Sequence, residues 1–246
     1  MALEVTLFAV FIAALITALT TGLGALPLAL SKNVGQKWLS AGAAIAAGLM
    51  LAASHTLIEE GMAKQEWLTL AGIATGLILV YLAYQGIERQ NAPDIGELND
   101  ADAKKMLMIV GVMTAHSFAE GIGVGVSYGG GQDLGLLITA TIAIHNIPEG
   151  LAIALILVPR GMSVLRAAGW SIFSSLPQPL VAVPAYIFVN TFQSILPFGL
   201  GLAAGAMIWM VFAELLPDAN KELQPATIGV IVVFAFLSMM IFQISI

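Results

Sequence analysis

The sequence predicts an all-α polytopic membrane protein, with eight transmembrane helices in a 3+2+3 inverted-repeat bundle. Three observations lead there: the composition, eight apolar stretches of span length, and an internal match at constant offset. The chain has 246 residues, 59% hydrophobic and only 10% charged, with a mean hydropathy of +0.95. A soluble domain carries about 25% charged residues, so most of this chain must face lipid. Residues 1–246 read as a single transmembrane domain with no soluble appendage long enough to fold alone. The absence of cysteine removes disulfides and thiolate metal sites. A pI near 4.9 argues against nucleic acid as a partner.

Spans of roughly 20 residues are predicted in order. The first, 5–30, opens from MALEVTLF, which lacks a basic segment and carries Glu4; its apolar run is too long for a cleaved leader. The second, 38–58, and third, 67–87, open on Trp38 and Trp67, residue types that anchor at the membrane interface. A linker from Glu88 to Lys104 follows; it is acidic and contains no histidine, so it is not a His-rich metal-binding loop. The remaining spans are 105–128, 134–157, 164–188, 194–216 and 226–245.

Basic residues orient this array. Lys32, Lys37, Arg89, Lys104, Lys105, Arg160, Arg166 and Lys221 fall in alternate loops, and only Lys64 falls on the other side. By the positive-inside rule those loops are cytoplasmic and both termini lie outside a cell (inner or plasma) membrane. On the outer side Glu4, Glu59, Glu60, Glu66 and Asp133 face Lys64 alone, an acidic surface that would concentrate cations.

The repeat is visible as Ala47-Gly48-Leu49-Met50 in span 2 against Ala204-Gly205-Ala206-Met207 in span 7, an offset of 157. The same offset pairs Pro27 with Pro184 and span 3 with span 8. Matched units five spans apart have opposite orientations, so residues 5–87 and 164–245 form inverted copies around the central helices of 105–157. Such repeats mark alternating-access carriers with a site near the midplane.

The chemistry lies in spans 4 and 5, which contain His116-Ser117-Phe118-Ala119-Glu120-Gly121 and His145-Asn146-Ile147-Pro148-Glu149-Gly150. Residues four apart share a helix face. His116 lies about 16 Å beyond Lys105 and His145 about 18 Å beyond Asp133 at 1.5 Å per residue, near the middle of a core about 30 Å thick. An ionisable residue at that depth costs at least ~2.5 kcal/mol, so four of them at one depth call for a compensating cation. Imidazole with carboxylate suits zinc and accepts cadmium, iron or manganese. Pro148 frees the carbonyl of Ile144 beside His145. The glycines after each glutamate, with Gly123 and Gly125, permit close helix approach.

HSFAEG and HNIPEG resemble the metal-binding helices of the ZIP (Zrt/Irt-like) family of zinc and iron transporters, and AGLM, PQPL and MIWMVFAELLP fall where that family's patterns do. The resemblance implies a carrier of divalent metal as substrate, with no catalytic cofactor, that works as a homodimer in the bilayer. It also implies an elevator-like motion of spans 1, 4, 5 and 6 against spans 2, 3, 7 and 8. By the same resemblance His116, Glu120, His145 and Glu149 form the main site, with Met50 a soft ligand. Many members hold a second metal through an Asn after the first His and a Glu in span 6; here those positions are Ser117 and Gln178. Ser117 and Gln178 are neutral, which disfavours a second ion, and Asn146 and Gln178 are expected as carbonyl-oxygen ligands or supporting partners. His55, close to Glu59, is expected either as an access-route ligand or as a buried, hydrogen-bonded histidine, and Glu214 either as an exit-route carboxylate or as an interface charge.

The rival reading from another class is an intramembrane zinc hydrolase. No HExxH is present, since His55, His116 and His145 are followed by Thr, Ser and Asn, and a hydrolase needs neither the second HxxxE nor the repeat. The expectation is a transporter and not an enzyme.

Overall fold

The computed structural model describes residues 5–30, 35–88, 100–158 and 161–245. Among them the only regular structure is helical: α1 (Leu7–Leu23), α2 (Leu26–Leu30), α3 (Gln36–Lys64), α4 (Glu66–Glu88), α5 (Asp100–Gly129), α6 (Gln132–Leu157), α7 (Val164–Ser175), α8 (Pro177–Thr191), α9 (Leu196–Met210), α10 (Leu216–Ala219) and α11 (Pro225–Ser245). These make eight passages, because α1 with α2 form span 1, α7 with α8 form span 6, and α9 with α10 form span 7. Seven of them, all but α5, qualify as membrane spans on length and hydropathy among the described residues. Leu26, Phe234, Ile241 and Leu180 are more than half exposed, as lipid-facing side chains should be. Trp38 and Trp67 stand 70% and 76% exposed at the starts of spans 2 and 3, as expected of interfacial anchors. The acidic linker lies largely outside the described residues.

Helix ends follow local chemistry. Thr6 caps α1 by accepting from Ala9 N–H at 3.1 Å, and Ser163 caps α7 by accepting from Arg166 N–H at 3.3 Å. α3 continues to Lys64, past the predicted end at 58, so Glu59 and Glu60 extend from its C-terminal turns.

The neighbour relations carry the symmetry of an inverted repeat. Span 3 packs on span 7 and span 8 on span 2; span 1 packs on span 5 and span 6 on span 4; spans 2 and 5 are neighbours, as are 7 and 4. Exchanging 1 with 6, 2 with 7, 3 with 8 and 4 with 5 leaves these relations unchanged. The matched glycines do the same work in each copy. A Cβ on Gly48 would overlap Val232 O and lie 2.7 Å from Ala235 Cβ; one on Gly205 would overlap Ile73 O and lie 2.7 Å from Ile73 Cα. Each glycine thus seats a helix backbone directly on the third span of the opposite copy.

Spans 1 and 6 are both broken. Gly24 N–H donates to Thr21 O and Leu176 N–H to Phe173 O, both at 3.2 Å, so each break is a single tightened turn. Prolines cause this: Pro27 cannot donate to Leu23 O, nor Pro177 to Phe173 O. Relative to the breaks, Pro27 corresponds to Pro179, each three residues downstream, whereas the constant offset of 157 pairs it with Pro184. The offset drifts because the stretch between break and matched glycine is longer in the second copy. A third irregularity is a π-helical turn, Val211–Leu215, in which Leu216 N–H reaches back five residues to Val211 O; Pro217 follows it.

Candidate metal centre

α5 and α6 are joined by the two-residue turn Gly130-Gly131, where Gly131 takes φ 129, a value side chains rarely adopt. The short turn folds the two helices into an antiparallel hairpin, and HSFAEG meets HNIPEG at one depth. α6 runs unbroken through Pro148.

His116, Glu120 and His145 are fully buried and Glu149 is 3% exposed. Each imidazole reaches most closely to the carboxylate of the opposite helix. His116 Nε2 lies 2.8 Å from Glu149 Oε1 and 3.3 Å from Glu120 Oε1. His145 Nε2 hydrogen-bonds Glu120 Oε1 and lies 4.0 Å from Glu149 Oε1. One donor atom from each of the four falls within 4.8 Å of all the others. No lysine or arginine pairs with either carboxylate among the described residues. Two buried carboxylates and two imidazoles converging on one point form an N2O2 donor set, the chemistry that holds a divalent transition metal.

A second ring of polar groups, from spans 1, 5 and 6, surrounds this cluster. Gln178, fully buried, donates through Nε2 to Glu120 Oε2 at 2.5 Å, and its Oε1 lies 2.5 Å from Thr17 Oγ1. Asn146, also fully buried, donates through Nδ2 to Thr17 O at 2.8 Å and to Gln178 Oε1 at 3.4 Å. Asn146 Oδ1 and the Nδ1 atoms of His116 and His145 have no hydrogen-bond partner. Below lies a Thr21–Ser175 hydroxyl pair at 2.8 Å. Both tightened turns border this ring, since Thr21 precedes one break and Ser175 and Gln178 flank the other. Backbone contact makes the arrangement possible: a Cβ on Gly150 would overlap Thr21 O, and one on Gly121 would lie 2.7 Å from Gln178 O.

Ser117 is buried beside His116. Met50 is 1% exposed, in the same apolar cluster as Ala119, Ile142 and Met207 and so among the residues that flank both site helices. His55 is not one of the cluster's donors; it is exposed on the C-terminal part of α3, 3.9 Å from Glu59 and edge-on to Phe236. Glu214 sits half-buried on the π-helical turn, with His116 and Glu149 among its electrostatic neighbours. Thr17, Thr21 and Ser175 were not foreseen. Their only signal in the sequence is hydroxyl residues inside otherwise apolar spans, Thr17, Thr20 and Thr21 in span 1 and Ser171, Ser174 and Ser175 in span 6.

The ZIP zinc transporter family model matches residues 88–243, which take in both motif helices and the second repeat. The chain belongs to the ZIP family. A relative from Arabidopsis thaliana is 45% identical over 230 residues, covering 92% of this chain but 37% of its own length. The chain therefore spans little over a third of that protein. Zinc transporter ZupT of Chlorobium limicola is 32% identical over 230 residues, covering 84% of this chain and 86% of that one. Zinc transporter ZIPB of Bordetella bronchiseptica is 31% identical over 232 residues, covering 88% and 75%. Membership in ZIP agrees with an all-α, multi-pass membrane protein whose motif helices lie at its centre.

Proposed function

We propose that this chain carries divalent transition-metal cations, zinc foremost, across its membrane toward the cytoplasm, through His116, Glu120, His145 and Glu149. The observation that carries this reading is the convergence of four buried donor atoms within 4.8 Å, two from each of two packed helices. The names of the zinc transporters ZupT and ZIPB lend it support. To ligate, each imidazole presents the Nε2 lone pair, so any proton there shifts to the unpartnered Nδ1 or leaves. The two carboxylates neutralise one divalent ion, and among the described residues no third carboxylate joins the four-donor cluster to hold a second. Asn146 Oδ1, buried and without a partner, is the neutral oxygen best placed to assist. Gln178 instead holds Glu120, because its own carbonyl is engaged by Thr17 and Asn146. Met50 supplies a soft edge to the site, and Ser117 a hydroxyl beside His116. Glu214 marks the route inward and His55 the route from outside.

Movement divides the helices as the side-chain hydrogen bonds do. Spans 1, 4, 5 and 6 are tied through Thr17, Gln178, Glu120, Asn146, Thr21, Ser175 and the Ser171–Gly150 contact. Spans 2, 3, 7 and 8 are seated on one another through Gly48 and Gly205. Between the two groups of helices, Gln243 Nε2 donates to Thr141 Oγ1 at 3.3 Å, and Gln193 Nε2 to Gly129 O at 3.4 Å at the ends of the helices. A block sliding with its ion against a fixed frame is the motion this division favours. The frame's spans 3 and 8 carry the broadest exposed apolar faces, where a second copy would complete a homodimer.

The test is uptake by proteoliposomes that contain a zinc-sensitive dye. Zinc-dependent signal inside vesicles holding the protein, and none in protein-free vesicles, is the expected result. Absence of uptake by folded, correctly inserted protein would refute the reading and revive the hydrolase.

A further inference from the structure

Thr17 touches both amides of the inner polar ring, its hydroxyl toward Gln178 and its carbonyl toward Asn146. An ionised carboxylate only accepts hydrogen bonds, so the Gln178 group facing Glu120 Oε2 at 2.5 Å must be the NH2. Gln178 Oε1 is thereby aimed at Thr17 Oγ1, 2.5 Å away, with Asn146 Nδ2 a more distant second donor at 3.4 Å. The Thr17 hydroxyl also lies 2.7 Å from Ala14 O, the usual intrahelical acceptor, and Gln178 Oε1 is the nearer of the two. All these groups are fully buried, so no bulk water competes for them.

We propose that Thr17 is a positioning residue that determines which metals the site accepts, by locking the Gln178 amide with its NH2 on Glu120. This rests on the reading that Glu120 is a ligand. With Oε2 engaged by the amide, Glu120 offers the ion a single oxygen, Oε1, beside two imidazole nitrogens and Glu149. That is a four-donor set matched to zinc. Once the lock is removed, the amide turns. Glu120 regains its second oxygen and the Gln178 carbonyl becomes available, so the site gains hard oxygen donors and coordination number. Manganese gains from such a change and zinc does not. Thr17 therefore discriminates without touching the ion.

The test is competition between zinc and manganese in proteoliposome uptake. Thr17→Val keeps the side-chain shape and deletes the hydroxyl; loss of one buried hydrogen bond predicts a fall in the zinc-to-manganese ratio of roughly fivefold to tenfold. Thr17→Ser, which keeps the hydroxyl, should hold the wild-type ratio within about twofold, a rescue that a packing role would not give. In a Gln178→Met background, Thr17→Val should change the ratio no further, because Thr17 acts through that amide. Should Thr17→Val fail to insert, Thr17→Ala replaces it. An unchanged ratio in the hydroxyl-free variant, a shifted ratio in Thr17→Ser, or an equal shift in the Gln178→Met background would each overturn the role of Thr17. Glu120→Ala run alongside separates the two claims: full zinc uptake there would overturn the site itself, whereas its loss with an unaltered Thr17→Val ratio removes only the lock.

Discussion

His116, Glu120, His145 and Glu149 are legible in the sequence because a spacing of four repeated in two apolar segments has few packing explanations. Thr17 is not legible, for a physical reason. A threonine in an apolar helix ordinarily returns its hydroxyl proton to a carbonyl three or four residues back, as Thr75 does to Ala71 O and Thr191 to Ile187 O. Only the tertiary approach of span 6 gives Thr17 an alternative acceptor. The same approach alters the expectation for Gln178, whose carbonyl faces protein while its amide faces Glu120. Replacing that amide by an acid sets two carboxylates 2.5 Å apart, where like charges repel strongly unless a cation intervenes. Gln178→Glu should therefore bind two ions per chain where the wild type binds one, as counted by calorimetry or anomalous scattering at micromolar zinc. Two equally occupied ions in the wild type would contradict the single-ion account. Met50→Ala should be milder, leaving zinc uptake largely intact while weakening preference for soft cadmium; an unchanged cadmium-to-zinc uptake ratio would remove Met50 from the site.

At the scale of elements, the repeat shows in sequence where glycine seats backbone on backbone, since no other residue substitutes there. It is obscured in spans 1 and 6, whose breaks depend on which proline interrupts the hydrogen-bond ladder and not on the apolar pattern around it. Helix ends such as Lys64 extend past the hydropathy signal because the last turns of α3 are polar. The glycine account makes a paired expectation. Gly48→Ala and Gly205→Ala should each destabilise the protein in detergent by about 1–3 kcal/mol through overpacking. Gly229→Ala, where nothing lies within 4 Å of the added methyl, should be tolerated. Thermal unfolding followed by tryptophan fluorescence reads all three, and equal stability across the set would remove the glycines as the seats of the repeat.

Over the whole molecule, the composition alone places the chain in lipid, and the alternation of basic loops predicts its orientation. Gln65 and Asn220 lie in exposed connections at opposite ends of the spans. Because the native chain has no cysteine, Gln65→Cys and Asn220→Cys report without background. An impermeant thiol reagent applied outside intact cells should label the first and spare the second; the reverse pattern would invert the topology and with it the proposed direction of transport. The family resemblance supplies the proposed division of spans 1, 4, 5 and 6 from spans 2, 3, 7 and 8, but the hydrogen bonds and glycine seats that favour it were not readable from sequence, because they depend on which neighbours each span finds. In the proposed transport, one ion travels bound to the four donors of spans 4 and 5. Its most direct test is zinc uptake by proteoliposomes holding wild type, His145→Ala or Glu149→Ala, each first shown monodisperse in detergent. Uptake is expected in the wild type and a loss of at least about tenfold in both variants, since each leaves three donors and a buried charge without its partner; wild-type rates in both would place the path of the ion elsewhere.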